Sequence, residues 1–229
     1  SVRRQRQMCI RDSFNIMHSQ RGQLTLAHTD ATVRAFRQRA EVNKHFGGRT
    51  ELIDRRAVGE LVPSLNLDPA GLPILAGLWH LDGATARHDA VAWGYAKGAT
   101  QRGVELHQLT EVTGVDIEAG RVTGVQTNRG KVSCGCVVQA VSGLSADVSK
   151  MAGFPLPIVA YPLQAMVTQP VKPFLDPHVS SSALHCYVHQ TSRGEIVIGG
   201  GSDPYPLYGT RSTLEPVSYT HLRAHETGY

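Results

Sequence analysis

Hydrophobic positions in the first part of the chain repeat with the period of a strand and then with that of a helix. Apolar and polar residues alternate over 20–28, which predicts a strand. Within 30–47 the apolar residues fall at near-helical spacing, and the pair Gly47-Gly48 predicts the end of that helix. Its apolar positions are Val33, Phe36, Ala40 and Phe46.

The next segment predicts two strands separated by a short helix. Residues 51–65 begin with an apolar strand, continue through Asp54 as a helix-capping residue for one or two turns, and break at Pro63. Residues 73–83 are apolar and end in a turn, which predicts a further strand.

The stretch "HDAVAWGYAKGATQRG" (88–103) predicts a helix whose one face consists mostly of small residues. Such a face would let the helix lie close to a sheet. Gly103 suits the left-handed position that follows a helix. The residues of the face are Ala90, Val91, Gly94, Tyr95 and Gly98.

The remainder of the chain is rich in β patterns. Several short strands are predicted within 104–140, with turns at "EAGR" and "NRGK" and a buried strand at "CVVQA" (136–140). A short helix is predicted at 145–154, followed by strands at 162–169, 185–191 and 195–201. The order predicts an α/β fold with α+β character: a strand–helix–strand unit with a β-meander, flanked by sheet-rich segments.

Both ends of the chain resemble translated sequencing-adapter DNA. "RRQRQMCIRDS" (3–13) and "VSYTHLRAHET" (217–227) match two companion adapters, and "QMCIRD" and "VSYTHL" are the two strands of one inverted element. We therefore exclude 1–12 and 217–229 from the fold prediction as adapter-like artefacts. The genuine chain, about 14–216, is then expected to be an internal part of a longer protein.

This exclusion changes the interpretation of the charge. The 229-residue chain carries a formal charge of +4, with a pI of about 9.0, which would suggest nucleic acid as a partner. Without the two ends, 18 basic residues face 17 acidic ones and the net charge is +1. We therefore expect no nucleic-acid partner.

Several other classes of protein and site are disfavoured by composition and motif. The hydrophobic content of 41% and charged content of 18% are typical of soluble globular proteins, and no apolar run is long enough to span a membrane. Four cysteines without a framework predict a reducing, cytoplasmic location. Cys134 and Cys136 are expected to be strand residues, the histidines are scattered, and no metal site is predicted. "GGGSDP" (199–204) has no helix after it, which favours a β-edge or loop over a phosphate-binding loop.

His88 is the candidate with the clearest chemistry. If Asp89 opens the helix, His88 occupies the N-cap, where the helix dipole disfavours the imidazolium and leaves the nucleophilic neutral ring. Asp89 could steer that ring or only favour the first turn, and Arg87 could hold an anion or be a solvated loop residue. On the residues alone, a simple helix start remains the alternative for His88.

Six segments, in order and with natural spacing, resemble the β subunits of heterotetrameric sarcosine oxidases, a branch of the D-amino-acid-oxidase-like flavoproteins. The resemblance covers essentially all of 14–215, and its most specific part is the R-H-D triplet (87–89) inside "GATARHDAVAW" (83–93). The segments are "SQRGQLTLAH" (19–28), "GATARHDAVAWGYAKGA" (83–99), "EVTGV" (111–115), "RVTGVQTNRG" (121–130), "MAGFPLPI" (151–158) and "YPLQAMV" (161–167).

The resemblance implies a two-flavin oxidase. In this family the β subunit holds FAD non-covalently and FMN covalently, through the histidine that matches His88, at the interface with the α subunit. Sarcosine is demethylated to glycine, electrons pass from FAD to FMN to oxygen, and the imine carbon goes to tetrahydrofolate in the α subunit. The implied partners are the α, γ and δ subunits.

Further site residues follow from the same match. Val112 and Gly143 correspond to positions on the adenine side of FAD, and Arg87 and Asp89 to flavin neighbours. Leu144 stands where the family usually has His or Trp, which puts the contacts at 142–145 in doubt.

A second group of candidates concerns the substrate. His185 and Tyr187 match a β segment that faces the substrate domain, as pocket or as packing residues. No residue of the chain is assigned a catalytic role with confidence, because the main FAD glycine motif, the carboxylate-binding arginine and a lysine-bearing motif find no match here.

The resemblance also implies a division of the chain. It predicts substrate-domain segments at 14–82 and 153–215, and part of a Rossmann-like FAD-binding domain at 83–152. The full-length parent is expected to be an enzyme and this truncated chain to be inactive. The alternatives are another FAD-dependent amine or amino-acid oxidase or dehydrogenase, or a non-catalytic subunit that keeps the fold.

Overall fold

A computed structural model of the protein describes residues 14–202. In its first half, the short strands β1 (Ser19–Gln20) and β5 (Ala84–Thr85) form a two-stranded sheet. The strands β2 (Gln23–Ala27), β3 (Thr50–Asp54) and β4 (Ala76–His80) belong to a larger sheet, and three helices accompany them. The helices are α1 (Asp30–His45), α2 (Arg55–Leu61) and α3 (His88–Thr100). The adapter-like ends and Cys9 lie outside the described residues, so their assignment stays a prediction.

The second half is mostly β-structure. It contains the meander β6 (Val112–Glu118), β7 (Arg121–Thr127) and β8 (Gly130–Ser133), followed by a 3-10 turn at Ser142–Leu144 and helix α4 (Ser145–Met151). The strands β9 (Leu163–Val167), β10 (His178–Ser181), β11 (Cys186–Gln190) and β12 (Ile196–Ser202) complete the described chain.

Contacts divide the described chain into two compact units. The first contains residues 14–102 and 164–201, and the second contains residues 103–163. Helix α3 groups with the first unit. The segment 83–152, predicted to bind FAD, therefore has residues in both units, and its role stays a prediction.

A seven-stranded sheet is the centre of the first unit. Its order is β3-β4-β2-β10-β11-β12-β9, with β2 and β10 parallel and the other pairs around them antiparallel. The two faces of the sheet are buried by different elements. One cluster joins the strands to α2, and the other joins them to α1 through Phe36 and Ala40.

Helices α1 and α2 each begin at a residue whose side chain caps the helix. Thr29 accepts a hydrogen bond from the Thr32 backbone N–H, and Asp54 accepts one from the Ala57 N–H, so each helix begins at a side-chain cap. Asp54 was predicted as that cap, and the helices end beside the predicted Gly47-Gly48 and Pro63. Phe46, expected on the apolar face of α1, lies beyond the end of the helix and is 82% exposed.

The predicted strand over 20–28 is interrupted. Gly22 adopts a positive φ of 82° and lies under the Trp79 ring, where a Cβ would meet the ring at 1.9 Å. The chain therefore turns between β1, which pairs with β5, and β2, which belongs to the large sheet.

The second unit is a three-stranded meander with a short helix beside it. The β6–β7 turn has positive φ at Ala119 and Gly120, and the β7–β8 turn has it at Gly130, as the predicted "EAGR" and "NRGK" turns require. The prediction of a buried strand at 136–140 is wrong: this segment is irregular, and Val138 is 87% exposed. Neither Cys134 nor Cys136 lies in a strand, because β8 ends at Ser133.

Two features are absent from residues 14–202. No helix in this range is long and apolar enough to cross a membrane. No group of three or more His, Cys, Asp or Glu side chains in the range is arranged to hold a metal ion.

Candidate functional site

His88 is the first residue of α3, one position later in the helix than predicted. Arg87 is the N-cap, with φ of −74° and ψ of 118°, and its side chain makes no capping hydrogen bond. The prediction that His88 would be the cap is therefore wrong, but the ring still lies at the positive end of a 13-residue helix. His88 is exposed, and its ring nitrogens have no hydrogen-bond partner within residues 14–202.

The neighbours of His88 are paired with each other. Arg87 donates from Nε to Asp89 Oδ1 at 3.0 Å and from Nη2 to Asp89 Oδ2. These hydrogen bonds, with the Ala90 backbone N–H as a further donor, hold the pKa of Asp89 below its usual range. The carboxylate is therefore ionised at neutral pH, and the guanidinium balances its charge.

Helix α3 itself does not have the packing predicted for it. None of its residues is buried, and Tyr95, on the face expected to approach a sheet, is 66% exposed. Gly94 on that face lies close to the segment before β1, because a Cβ at this position would lie 2.8 Å from the Phe14 ring. The helix is therefore fastened by the segment before β1 rather than by burial against a sheet.

Val112 and Gly143 both lie in the second unit. Val112 is half-buried at the start of β6, opposite Thr127, and Gly143 is half-buried in the 3-10 turn before α4. Ser142 precedes it with a φ of +47°, which non-glycine residues adopt at some cost in energy. Since α4 packs on β6, the turn and this strand belong to one small packed group.

The two substrate-pocket candidates have different environments. His185 is exposed in the turn before β11, with a φ of +47°. Tyr187 lies within β11, and its ring stacks on that of His178 at a centroid distance of 5.3 Å. The structure therefore gives Tyr187 a place in a side-chain cluster, while His185 takes no part in the recorded ring stacks.

Sequence reasoning missed the other two members of that cluster, His178 and His189. Their rings stack at 5.5 Å, and Tyr187 and His189 stack at 6.2 Å. The sequence signal for this cluster is the alternation of side chains along β10 and β11, which places the three rings on one face. His178 and Ser180 alternate with buried residues along β10, and Tyr187 and His189 lie two residues apart, on one face of β11.

Burial makes these two imidazoles less basic than usual. Desolvation lowers the pKa of His178, with a smaller contribution from His189, and desolvation also lowers the pKa of His189. The Nδ1 atom of His189 is buried and has no hydrogen-bond partner. The sheet face around Tyr187 therefore presents two neutral rings at neutral pH, one with an unused polar atom.

A model of the FAD dependent oxidoreductase (DAO) family matches residues 1–226 of the chain. The chain belongs to this family. The fold class predicted from the sequence is confirmed by the mixed α/β architecture and by solved structures of related oxidoreductases.

Two curated relatives within this family are similar to most of the chain. The chain is 45% identical over 207 residues to sarcosine oxidase subunit beta of Rhizobium meliloti (strain 1021), covering 90% of this chain and 50% of that protein. It is 42% identical over 215 residues to sarcosine oxidase subunit beta of Rhodobacter capsulatus, covering 94% of this chain and 52% of that protein. The chain thus spans about half the length of the curated relatives it matches.

Two solved structures are similar in three dimensions. L-proline dehydrogenase from P. horikoshii superimposes with a TM-score of 0.84 at 30% identity, covering 97% of this chain and 59% of that one. Glycine oxidase from Bacillus cereus ATCC 14579 gives a TM-score of 0.74 at 18% identity over 95% of this chain and 58% of its own. The second similarity concerns the fold alone.

Proposed function

We propose that this chain is part of the β subunit of a sarcosine oxidase, in which His88 is the covalent attachment point of FMN. The observation that carries the proposal is an exposed, unpartnered imidazole on the first turn of α3. Relatives at 45% and 42% identity that are named sarcosine oxidase subunit beta support it. The parent reaction is oxidative demethylation of sarcosine to glycine.

The imidazole fits the chemistry of attachment. An unprotonated ring nitrogen at the start of α3 would supply the electron pair for a bond to the 8α carbon of the flavin. The bond replaces one C–H of the flavin and one N–H of the imidazole. The two electrons and two protons released would go to the flavin and then to oxygen, the oxidant that the proposed oxidase already uses.

Non-covalent FAD is assigned to the second unit. Val112 and Gly143 offer backbone groups at the start of β6 and in the 3-10 turn, where we place the adenine side of FAD. When bound, FAD accepts the two electrons of amine oxidation and FMN passes them on to oxygen. The residues of this chain bind and orient the two flavins.

We assign the stacked rings on the large sheet a role in substrate binding. Tyr187, with His178 and His189, provides a polar, partly exposed face on the large sheet. Imidazole nitrogens and a phenol hydroxyl can accept hydrogen bonds from the amino group of an N-methyl amino acid. His185 is a candidate only for the rim of this pocket.

The proposed partners are the α, γ and δ subunits, with tetrahydrofolate bound by α and a cytoplasmic location for the complex. The word "subunit" in the names of the relatives supports a complex.

The decisive experiment is a peptide map of the full-length polypeptide, co-expressed with its α subunit. Tryptic digestion is expected to yield the His88 peptide with the added mass of FMN. His88→Ala is expected to abolish the attachment while FAD remains bound, and His45→Ala, at an exposed position in the last turn of α1, is the matched control. An unmodified His88 peptide in flavin-loaded enzyme contradicts the proposal, and loss of both flavins in His88→Ala indicates a folding role.

A further inference from the structure

Each nitrogen of the Arg87 guanidinium has a partner in the protein. Nε and Nη2 donate to the two oxygens of Asp89, and Nη1 lies 3.9 Å from the sulfur of Met17. All three nitrogens of the side chain therefore have a partner, in a two-pronged arrangement that fixes geometry better than a single contact does. His88 lies between the two paired residues in the sequence.

The same pair is anchored to the segment that precedes β1. The backbone N–H of Arg87 donates to the Ile16 carbonyl at 3.1 Å, and Ile16 is only 6% exposed. Asn15 Oδ1 accepts from the Met17 N–H at 2.8 Å, which holds Met17 with a φ of +52°. The chain just before His88 is thus held, although the helix buries none of its own residues.

Phe14 extends this attachment along α3. Its ring lies against Gly94, and Lys97 Nζ is 6.0 Å from the ring centroid. Segment 14–17 therefore contacts the helix at its cap, at its middle and near its end. Movement of the helix as a whole would break these contacts together.

We propose that Arg87 and Asp89 are positioning residues, which form a clamp across His88 and hold the backbone of the first turn of α3 in the position needed for flavin attachment. The proposal rests on the proposed attachment of FMN at His88. It departs from a direct role for Arg87 on the flavin phosphate, because a phosphate would have to displace a carboxylate that already uses two of the three guanidinium nitrogens. Asp89 likewise serves the clamp rather than the cofactor.

The clamp explains how an exposed helix can present a reactive side chain accurately. A bond-forming nitrogen must approach its target carbon closely, and a misplacement of about 1 Å can lower a rate by ~100-fold. Loosening the first turn, without unfolding the helix, would therefore slow attachment before it affects stability. Non-covalent FAD, placed in the second unit, is not expected to respond.

The test uses the full-length polypeptide co-expressed with its α subunit, and measures the fraction of His88 peptide that carries FMN together with the FAD content. Arg87→Gln and Asp89→Asn are each expected to lower the attached fraction by roughly tenfold at a fixed, short induction time, with FAD content unchanged. The charge-swapped double variant Arg87→Asp/Asp89→Arg is expected to regain most of the attachment, because it restores the pair. Arg56→Gln, in the exposed Arg56–Glu60 ion pair of α2, is the matched control.

The possible results distinguish the clamp from a direct role on the flavin and from a role in folding. Full attachment in both single variants overturns the clamp. Loss in Arg87→Gln with none in Asp89→Asn also overturns it and assigns Arg87 to the flavin. Parallel loss of FAD, without recovery in the swapped variant, assigns the pair to folding. Absence of FMN in the wild-type protein contradicts instead the proposed function.

Discussion

Gln190 shows how much one buried amide can hold together. Its Oε1 accepts from the backbone N–H groups of Phe174 and Leu175, at 2.8 and 3.1 Å. Its Nε2 is within 3.3 Å of the carbonyls of Val171, Lys172 and Gly194. The residue is 5% exposed, so it joins the loop before β10 to the turn before β12 without help from solvent.

Gln190→Ala is expected to lower the free energy of unfolding by about 3 kcal/mol, because several backbone groups lose their only side-chain partner. Urea denaturation measures the loss. Gln38→Ala, at an exposed position of α1, is the control and should stay within about 0.5 kcal/mol of the wild type. Equal effects for the two variants would contradict this account of Gln190.

The stacked histidines predict a pH dependence of stability. The pKa values of His178 and His189 are lowered from 6.5 in the folded protein, so the unfolded chain binds protons first as the pH falls. Stability is therefore complete above pH 6.5 and decreases as the pH falls through 6.5 toward the lower folded values.

Urea midpoints measured between neutral and mildly acidic pH test this dependence. The double variant His178→Gln/His189→Gln is expected to show a flatter decline, whereas Tyr187→Phe keeps both imidazoles and the wild-type slope. A double variant with the wild-type slope would assign the dependence to other groups.

The residue scale is also where sequence reasoning about the site was least complete. The R-H-D triplet made His88 identifiable, and Tyr187 was identified through its β segment. His178 was missed because strand β10 is only four residues long and lies in a segment without a clear period. His189 becomes a neighbour of His178 only through the pairing of β10 and β11, which no local pattern specifies.

At the scale of elements, local chemistry predicted what depends on local contacts. The end of α1, the cap of α2 and the turns of the meander follow from Gly47, Asp54 and Gly120, whose effects act within a few residues. The segment 136–140 has the composition of a buried strand, yet burial needs neighbouring elements. Among residues 14–202 no strand pairs with it, and it is irregular and mostly exposed.

The contribution of a helix cap to stability can be tested at Asp54. Asp54→Ala removes the acceptor for the Ala57 N–H and is expected to cost about 1 kcal/mol of stability, whereas Asp54→Asn, which keeps an acceptor oxygen, should cost much less. Thermal unfolding of the two variants beside the wild type gives the comparison. An equal loss in both would attribute the effect to charge rather than to capping.

At the scale of the whole molecule, the second unit exposes much of its apolar surface. Of residues 103–163, only Gly124 and Ser149 are buried. Thirteen of its large hydrophobic residues are exposed, among them Leu109 at 85%, Val138 at 87% and Leu163 at 82%. Surfaces of this kind are typical of interfaces.

The chain as given is therefore expected to bind a hydrophobic dye such as ANS strongly and to self-associate. The full-length polypeptide, about twice as long in the relatives, is expected to bind much less dye per molecule. Fluorescence titration at matched concentrations measures the difference. Weak dye binding by the short chain would show that this surface is covered in solution.

The two tryptophans of the chain stand in contrasting surroundings, and this has an optical consequence. Trp79 is packed over Gly22, whereas Trp93 is 54% exposed, five residues beyond His88 on the same helix. At a rise of about 1.5 Å per residue, Trp93 begins roughly 7–8 Å along the axis from His88. A flavin attached at His88 would lie well within range to quench the long-wavelength emission of Trp93, so attachment should be visible as a blue shift and dimming of the fluorescence spectrum while the enzyme matures.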